Sequence, residues 1–288
     1  MRLKQSCKHT TSLYPSRSLL LIALLLVGIL LVSGGTAVTG EGSVRGANHS
    51  RKSQDKGDFK VIYSPVKNLK YAELQKELTD DKDLEAIAAE LNSTIALPVD
   101  ITITFAECGQ VNAFYDPNKR QISMCYELVD HFHDSFSKVV QSEDKLDEAV
   151  TGATIFVFFH EVGHALVHIL ELPVTGKEED AVDQLSTFVL TSESDEGEQA
   201  ALNGAMSFYL ASKKQETKIE DLAFWDEHSL SQQRFYNIVC WVFGQNEQKY
   251  EGLVKNGILP VDRAQRCKGE HAQLAKSWST LLAPHLKK

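Results

Sequence analysis

FFHEVGHALVHILELPVTGKEEDAVD, residues Phe158 to Asp183, places three histidines at four-residue spacing on an apolar stretch and follows them with a proline and a group of carboxylates. Residues i and i+4 of an α-helix lie on the same face, so His160 and His164 can both reach one metal ion. His168 lies about 12 Å along the helix axis from His160, too far to share a tetrahedral ion. A catalytic zinc site usually has three protein ligands and a water, so another side chain must supply the third ligand.

The acids after the proline are the better candidates for the third ligand. The turn at residues 173–176 lets the next helix run back against the first one. The acids that compete on this second helix are Glu178, Glu179 and Asp180. Only Glu179 has another acid one turn later, so Glu179 can bind the metal while Asp183 accepts the second ring N–H of a ligand histidine. Glu178 and Asp180 fit a solvated helix N-terminus, where the helix dipole favours acids.

The surroundings of HEVGH strengthen a motif that is weak by itself. ATIFVFF before it and ALVHIL after it are apolar, which predicts a buried helix. The histidines and Glu161 would then lie in a dry environment, where polar groups without partners are costly. One metal ion satisfies them together, whereas unrelated core histidines would need several separate partners. The stretch therefore predicts a zinc site.

The rest of the chain predicts an α+β fold. Residues 69–91 have helical spacing, and ITITF after Pro98 has the β-branched, alternating pattern of a strand. VNAFYDPNKRQISMCYEL, residues 111–128, offers two more short strands joined by a turn at residues 116–118. From Glu143 onward the pattern is almost wholly helical. The predicted breaks in this helical half are Pro173, the SESDEGE stretch and Gly244.

The N-terminal 57 residues have the pattern of a leader and a tether. A basic segment without acids precedes LLLIALLLVGILLV, Leu19 to Val32, and the small-residue segment SGGTAVTG, which predicts a signal peptide within residues 1–40. Residues 19–38 give a run of about twenty, so an uncleaved membrane anchor is the alternative. Residues 41–57 are polar and glycine-rich, which predicts a flexible linker before a domain at residues 58–288.

Charge and cysteine content both suit an exported protein. Removal of residues 1–40 takes away four basic side chains and no acid, which changes the formal net charge from −9 to −13 and disfavours a nucleic-acid partner. Cys7 lies in the leader, and four cysteines remain, an even number that suggests disulfides. Of three possible pairings we favour the one in which each bond closes a short loop, with buried free thiols as the alternative. The favoured pairs are Cys108–Cys125 and Cys240–Cys267.

HEVGH followed by Glu179-x-x-x-Asp183 resembles the gluzincin metallopeptidases, the thermolysin-like group. NAFY is similar to the NAF-aromatic segment on the edge strand of these enzymes, and the resemblance gives Asn112 and Ala113 the role of holding the substrate backbone. The set ECGxxNAFYDP, CYEL, HEVGHAL, EEDAVDQL and EHSLxxQRFYN resembles an uncharacterised exported family described as "putative metallopeptidases", over roughly residues 95–270. The spacing departs from thermolysin, because only fourteen residues separate His164 from Glu179.

The resemblance implies a zincin-like α+β fold, with a small mixed sheet whose edge strand binds substrate and a helical half that carries the HExxH helix. It implies an exported zinc metallopeptidase acting on peptides or proteins, secreted, periplasmic or anchored at the outer face of the membrane. Zinc would polarise the scissile carbonyl and activate a water, and Glu161 would be the general base. His228 is the candidate for stabilising the oxyanion, with Arg234 and Tyr236 as rivals. The alternative for His228 is a helix N-terminal residue with no catalytic part.

A second class of function competes with hydrolysis. The same zinc ligands could stabilise a catalytically inactive extracellular binding module. Glu161 favours the peptidase, because a structural zinc site needs no general base and closes its fourth position with a protein ligand.

Overall fold

Four short strands and a set of packed helices make up the computed structural model, which describes residues 55–192, 194–214, 218, 220 and 222–287. The predicted leader, residues 1–40, and most of the predicted linker lie outside the described residues. The last residues of the predicted linker already contact the fold, because the Lys56 and Gly57 N–H groups donate to the Leu97 carbonyl at 2.8 and 2.9 Å.

The strands form one small mixed sheet. Their bounds are β1 Phe59–Tyr63, β2 Ile101–Ala106, β3 Ala113–Asp116 and β4 Gln121–Cys125. The order across the sheet is β1-β2-β4-β3, with β2 parallel to both β1 and β4 and with β3 antiparallel to β4 at one edge. Asp116 shapes the β3–β4 turn, because its Oδ1 accepts the Asn118 and Lys119 N–H groups at 2.9 and 3.2 Å. The predicted α+β class with a small sheet is confirmed.

Two helices lie between β1 and β2, and the other helices follow β4. Their bounds are α1 Leu69–Asp81, α2 Asp83–Thr94, α3 Tyr126–Phe136, α4 Glu143–Ile169, α5 Glu178–Thr191, α6 Asp195–Lys214, α7 Ser231–Gln245, α8 Glu251–Lys255 and α9 Val261–Leu282. The helical stretch predicted at residues 69–91 is two helices, because the backbone turns at Lys82 with φ of 56°. The residues around this turn, TDDKD, are all polar, so no apolar side chain continues the hydrophobic face of α1 into α2.

Helix α7 ends at Gln245, one residue after the break that the sequence predicts at Gly244. Gly244 itself lies in the last turn of α7, where a Cβ would come within 2.1 Å of the Cys267 carbonyl oxygen on α9. The missing side chain therefore allows α7 and α9 to approach closely.

Helix α4, which carries HEVGH, runs through the core. Its apolar side chains pack on α3, α5, α6 and the sheet, and its most apolar stretch is 83% buried. Its length and hydropathy would also suit a membrane span, but that burial makes it the core helix of this fold. The prediction that HEVGH lies on a buried helix is confirmed.

Helices α4 and α5 run antiparallel in close contact, and this pairing builds the site. The α-carbon of Gly163 faces Val182, and a Cβ at Gly163 would lie 2.8 Å from the Val182 side chain. One turn away, the buried Ser186 hydroxyl donates to the Phe156 carbonyl at 2.7 Å. The glycine of HEVGH is therefore the residue that brings the acids of α5 within reach of the histidines of α4.

Two disulfides cross-link the fold. Cys108–Cys125 links the segment after β2 to the end of β4, and Cys240–Cys267 links α7 to α9. Both predicted pairs are confirmed.

Candidate metal centre

Three imidazole rings converge on the carboxylate of Glu179. His160 Nε2 lies 3.1 Å from Glu179 Oε2, and His228 Nε2 lies 3.0 Å from the same oxygen. His164 Nε2 lies 3.3 Å from Glu179 Oε1. His160 and His164 come from α4, Glu179 from the first turn of α5, and His228 from the segment before α7. The structure therefore brings together all four side chains that the sequence singles out for metal binding and oxyanion stabilisation.

Each of these rings also contacts a carboxylate through its other nitrogen. Asp183 Oδ1 lies 2.8 Å from His160 Nδ1, and Glu178 Oε1 lies 2.8 Å from His164 Nδ1. Asp226 Oδ1 lies 3.0 Å from His228 Nδ1. A carboxylate at Nδ1 fixes the ring orientation and leaves Nε2 free to bind a metal or a ligand.

Arg234 is a supporting residue of the Asp183 carboxylate. Its Nε and Nη2 donate to the two oxygens of Asp183, both at 2.7 Å, and its guanidinium stacks 3.8 Å above the Phe208 ring. Burial acts to raise the pKa of Asp183, but Arg234 outweighs it and lowers that pKa to about 2. One edge of the guanidinium is thus committed to Asp183, and Arg234 does not line the cleft around the centre, so it is a poor candidate for the oxyanion role.

The remaining rival, Tyr236, does not line the cleft around the centre. Its ring packs against Phe235 on α7, with centroids 5.1 Å apart.

The donor set is one that fits zinc. Imidazole nitrogen and carboxylate oxygen are ligands that zinc takes in proteins. The ligand atoms of His160, Glu179 and His228 lie within 4.8 Å of one another. This set contains His228, whereas the sequence analysis assigns His164 to the metal and His228 to the oxyanion. Four side chains are therefore candidates for the three protein ligands of a catalytic zinc ion.

The pKa shifts of the histidines favour their protonated, positively charged forms beside Glu179. Burial acts to lower the pKa of His164, but hydrogen bonds to Glu179 and Glu178 outweigh it and raise that pKa to about 9. The hydrogen bond to Glu179 raises the pKa of His228 as well. Burial acts to raise the pKa of Glu179, yet the three imidazoles hold it well below its usual range. A divalent cation can take the place of these protons, as metal binding to histidine and carboxylate sites requires.

Glu161 lies beside the centre and is only 6% exposed. It lines the same cleft as Tyr115 on the edge strand. Burial raises the pKa of Glu161 above its ordinary value. A carboxylate with a raised pKa is better matched to proton transfer near neutral pH than an exposed one.

The edge strand β3 forms one wall of the cleft and offers free backbone groups to it. The Cys125 N–H donates to the Asn112 carbonyl at 3.2 Å, and hydrogen-bonded pairs alternate along an antiparallel ladder. Phe114 therefore bonds to β4, while Ala113 and Tyr115 turn their N–H and C=O groups away from the sheet. The Asn112 side chain is exposed at the start of the strand. This edge can accept an extended peptide.

The cleft encloses about 710 Å³, the size of a small-ligand or peptide site. It is lined by Asn112, Ala113, Phe114, Tyr115, Pro117, His160, Glu161, His164, Val167, His168, Lys177, Glu178, Glu179, Glu227 and His228. The predicted substrate-binding residues and the predicted metal ligands thus share one opening.

The segment that carries His228 is held in place from α5. Lys177 Nζ donates to the Asp226 carbonyl at 2.9 Å, and the Ser229 hydroxyl donates to Asp180 at 2.7 Å. His228 itself lies before α7 and not in its first turn, so the alternative of a helix N-terminal residue does not describe it.

Three roles in this site escape the sequence analysis. Glu178 and Asp180 are expected in solvent, yet Glu178 contacts His164 and Asp180 holds Ser229. Asp226 is not singled out at all, because it precedes His228 by two residues in a non-helical segment that has no periodicity. The available signal for Glu178 is its position directly before a predicted ligand on a helix that faces the histidines.

Comparison with protein families supplies independent information. A family model with the description "Putative metallopeptidase" matches residues 63–282. The match runs from the end of β1 to the end of α9 and includes every residue of the centre and the cleft. Searches of curated proteins and of solved structures found no match. The chain belongs to this family of putative metallopeptidases.

Proposed function

We propose that the protein is an exported zinc metallopeptidase of the thermolysin-like, gluzincin type. The observation that carries this proposal is the convergence of three imidazole Nε2 atoms on Glu179 next to a buried glutamate and a free strand edge. A metal, a base and a peptide-binding edge in one cleft are what metal-assisted peptide hydrolysis requires.

His160, His164 and Glu179 would hold the zinc, and Asp183 would orient His160. This choice leaves His228, whose side chain is 43% exposed against 6% for His160, free to face the substrate. Zinc, when bound in such a site, lowers the pKa of a water molecule and polarises a carbonyl.

Glu161 would act as the general base. It takes a proton from the water that attacks the scissile carbonyl and delivers that proton to the leaving amine. His228 would donate a hydrogen bond from Nε2 to the oxygen that gains negative charge, with Asp226 holding its other nitrogen. Asn112 and Ala113 would bind the substrate backbone at the strand edge.

Export rests on the N-terminal sequence and on the two disulfides. Disulfides persist in oxidising compartments outside the cytosol. N-terminal sequencing of the protein recovered from its natural compartment should give a start close to residue 41. A start at Met1 would favour a membrane tether through residues 19–38 instead.

The alternative function, an inactive zinc-stabilised binding module, is favoured by one observation. The ligand atoms of His160, Glu179 and His228 lie within 4.8 Å of one another and His164 also contacts Glu179, so all four side chains could bind the metal and close the site. Closed sites with four protein ligands are structural. The two functions then differ in the role of one histidine.

The purified full chain, loaded with zinc, tests the proposal. It should release peptides from a denatured protein, lose that activity on chelation and regain it on addition of zinc. His228→Ala should keep one zinc per chain in elemental analysis and lose hydrolysis. Loss of zinc from this variant, together with an inactive parent protein, would establish the binding module.

A further inference from the structure

The Tyr115 side chain connects the edge strand to the catalytic helix α4. Its hydroxyl is hydrogen bonded to His168 Nδ1 at 2.9 Å, and the two rings lie 5.8 Å apart between centroids. Glu161 and His168 are seven residues apart, so this contact lies about 10 Å along the helix axis from Glu161. Tyr115 and Glu161 both line the cleft.

The hydrogen bond to His168 is independent of the sheet. Tyr115 lies opposite Ile122 on β4, and its hydroxyl takes no part in the strand pairing. Burial raises the pKa of the Tyr115 hydroxyl to about 12, so this group keeps its proton and can donate to His168. His168 is exposed on α4 and lies too far from His160 to bind the same metal ion.

We propose that the Tyr115–His168 pair is a latch that positions the edge strand against the catalytic helix. The proposal rests on the proposed function for its catalytic consequence. If β3 keeps a constant position along the axis of α4, a peptide bound to β3 also keeps a constant position relative to Glu161. Tyr115 and His168 are then positioning residues, because they act through the strand and through Glu161. Small displacements of this kind are costly to a reaction that depends on orientation.

Hydrogen exchange of the full chain tests the latch without reference to activity. Tyr115→Phe and His168→Ala should each speed amide exchange in residues 112–116 by about 2- to 12-fold, the value of one hydrogen bond, and leave the zinc content unchanged. His168→Asn, whose side-chain oxygen can accept the tyrosine hydroxyl, should restore slow exchange. Wild-type exchange rates in both single variants would overturn the proposal.

Peptide hydrolysis tests the positioning role. Each single variant should lower kcat/KM by about 2- to 12-fold, and the double variant should be no worse than the more affected single variant, because both remove the same bond. His168→Asn should recover most of the lost activity. Additive losses in the double variant would show that the two residues act separately, which contradicts the latch.

Tyr63→Phe is the matched control. Tyr63 is a half-buried tyrosine of the same sheet whose hydroxyl donates to the Leu78 carbonyl and contacts Glu85, far from the cleft. Its loss should lower the melting temperature and leave kcat/KM unchanged. If the zinc-loaded wild-type protein cleaves no peptide, the proposed function fails, and the exchange measurement alone still decides the latch.

Discussion

At the scale of single residues, the centre is organised by carboxylates on the far side of each imidazole. Asp183, Glu178 and Asp226 each contact an Nδ1 atom, so that the three Nε2 atoms face Glu179. The contact of Asp183 could be predicted, because Asp183 follows Glu179 by four residues, one helical turn. The other two contacts depend on how α5 and the segment before α7 pack against α4, which no local spacing encodes.

Glu178→Ala should weaken zinc binding by about 10- to 100-fold, because His164 loses the partner that orients its ring. Glu178→Gln should lose much less affinity, since an amide oxygen can still accept the Nδ1–H. Competition with a chromogenic chelator measures both affinities.

The control for this change is Glu196→Ala. Glu196 is an exposed acid in the first turn of α6, a similar helical position away from the cleft. Its loss should leave zinc affinity unaltered. Equal affinities for Glu178→Ala and the wild type would mean that the contact with His164 has no part in metal binding.

At the scale of the elements, the α4–α5 pair was largely predictable and its partners were not. HEVGH on a buried helix, the turn after Pro173 and the acids of α5 follow from apolar periodicity and turn residues, which are local signals. The break at Lys82 and the approach of α7 to α9 at Gly244 depend on tertiary packing. Sequence alone gives Gly163 no role, because its use is visible only when Val182 faces it.

Gly163→Ala should separate α4 from α5 and destabilise the fold by about 1–3 kcal/mol, the usual cost of inserting a methyl group into a packed interface. Zinc affinity should fall with it, since the ligands lie on both helices. Chemical denaturation and zinc titration measure the two effects on one sample.

Gly269→Ala is the matched control for that substitution. Gly269 lies inside α9 with no atom within 4 Å of an added Cβ, so alanine there should stabilise the protein by about 0.5–1 kcal/mol. If both substitutions changed stability and zinc affinity by similar amounts in the same direction, the close packing of α4 on α5 would not be what builds the centre.

At the scale of the whole molecule, the cleft lies between the two halves of the fold. The sheet contributes the strand edge, and the helical half contributes the proposed base and the proposed metal ligands. The disulfides divide in the same way, because Cys108–Cys125 closes the loop that contains β3, whereas Cys240–Cys267 joins α7 to α9 in the helical half.

Replacement of Cys108 and Cys125 by serine should lower stability by about 3 kcal/mol and reduce peptide turnover while zinc is retained, because the loop holds β3 but no ligand. Replacement of Cys240 and Cys267 should lower stability by a similar amount and leave the turnover of folded protein unchanged. Kinetics below the melting temperature of each variant make the comparison. A larger loss of turnover from the second pair would contradict the division of roles between the two halves.

The central claim is that Glu161 is the base of a zinc-dependent hydrolysis, and the most direct measurement is peptide hydrolysis by Glu161→Gln at a zinc content equal to that of the wild type. Glutamine is nearly isosteric with glutamate, but it cannot take a proton from water. We predict unchanged zinc and melting temperature with a loss of kcat of at least about 100-fold, the usual contribution of a general base. Turnover by this variant at the wild-type rate, with zinc bound, would contradict the account.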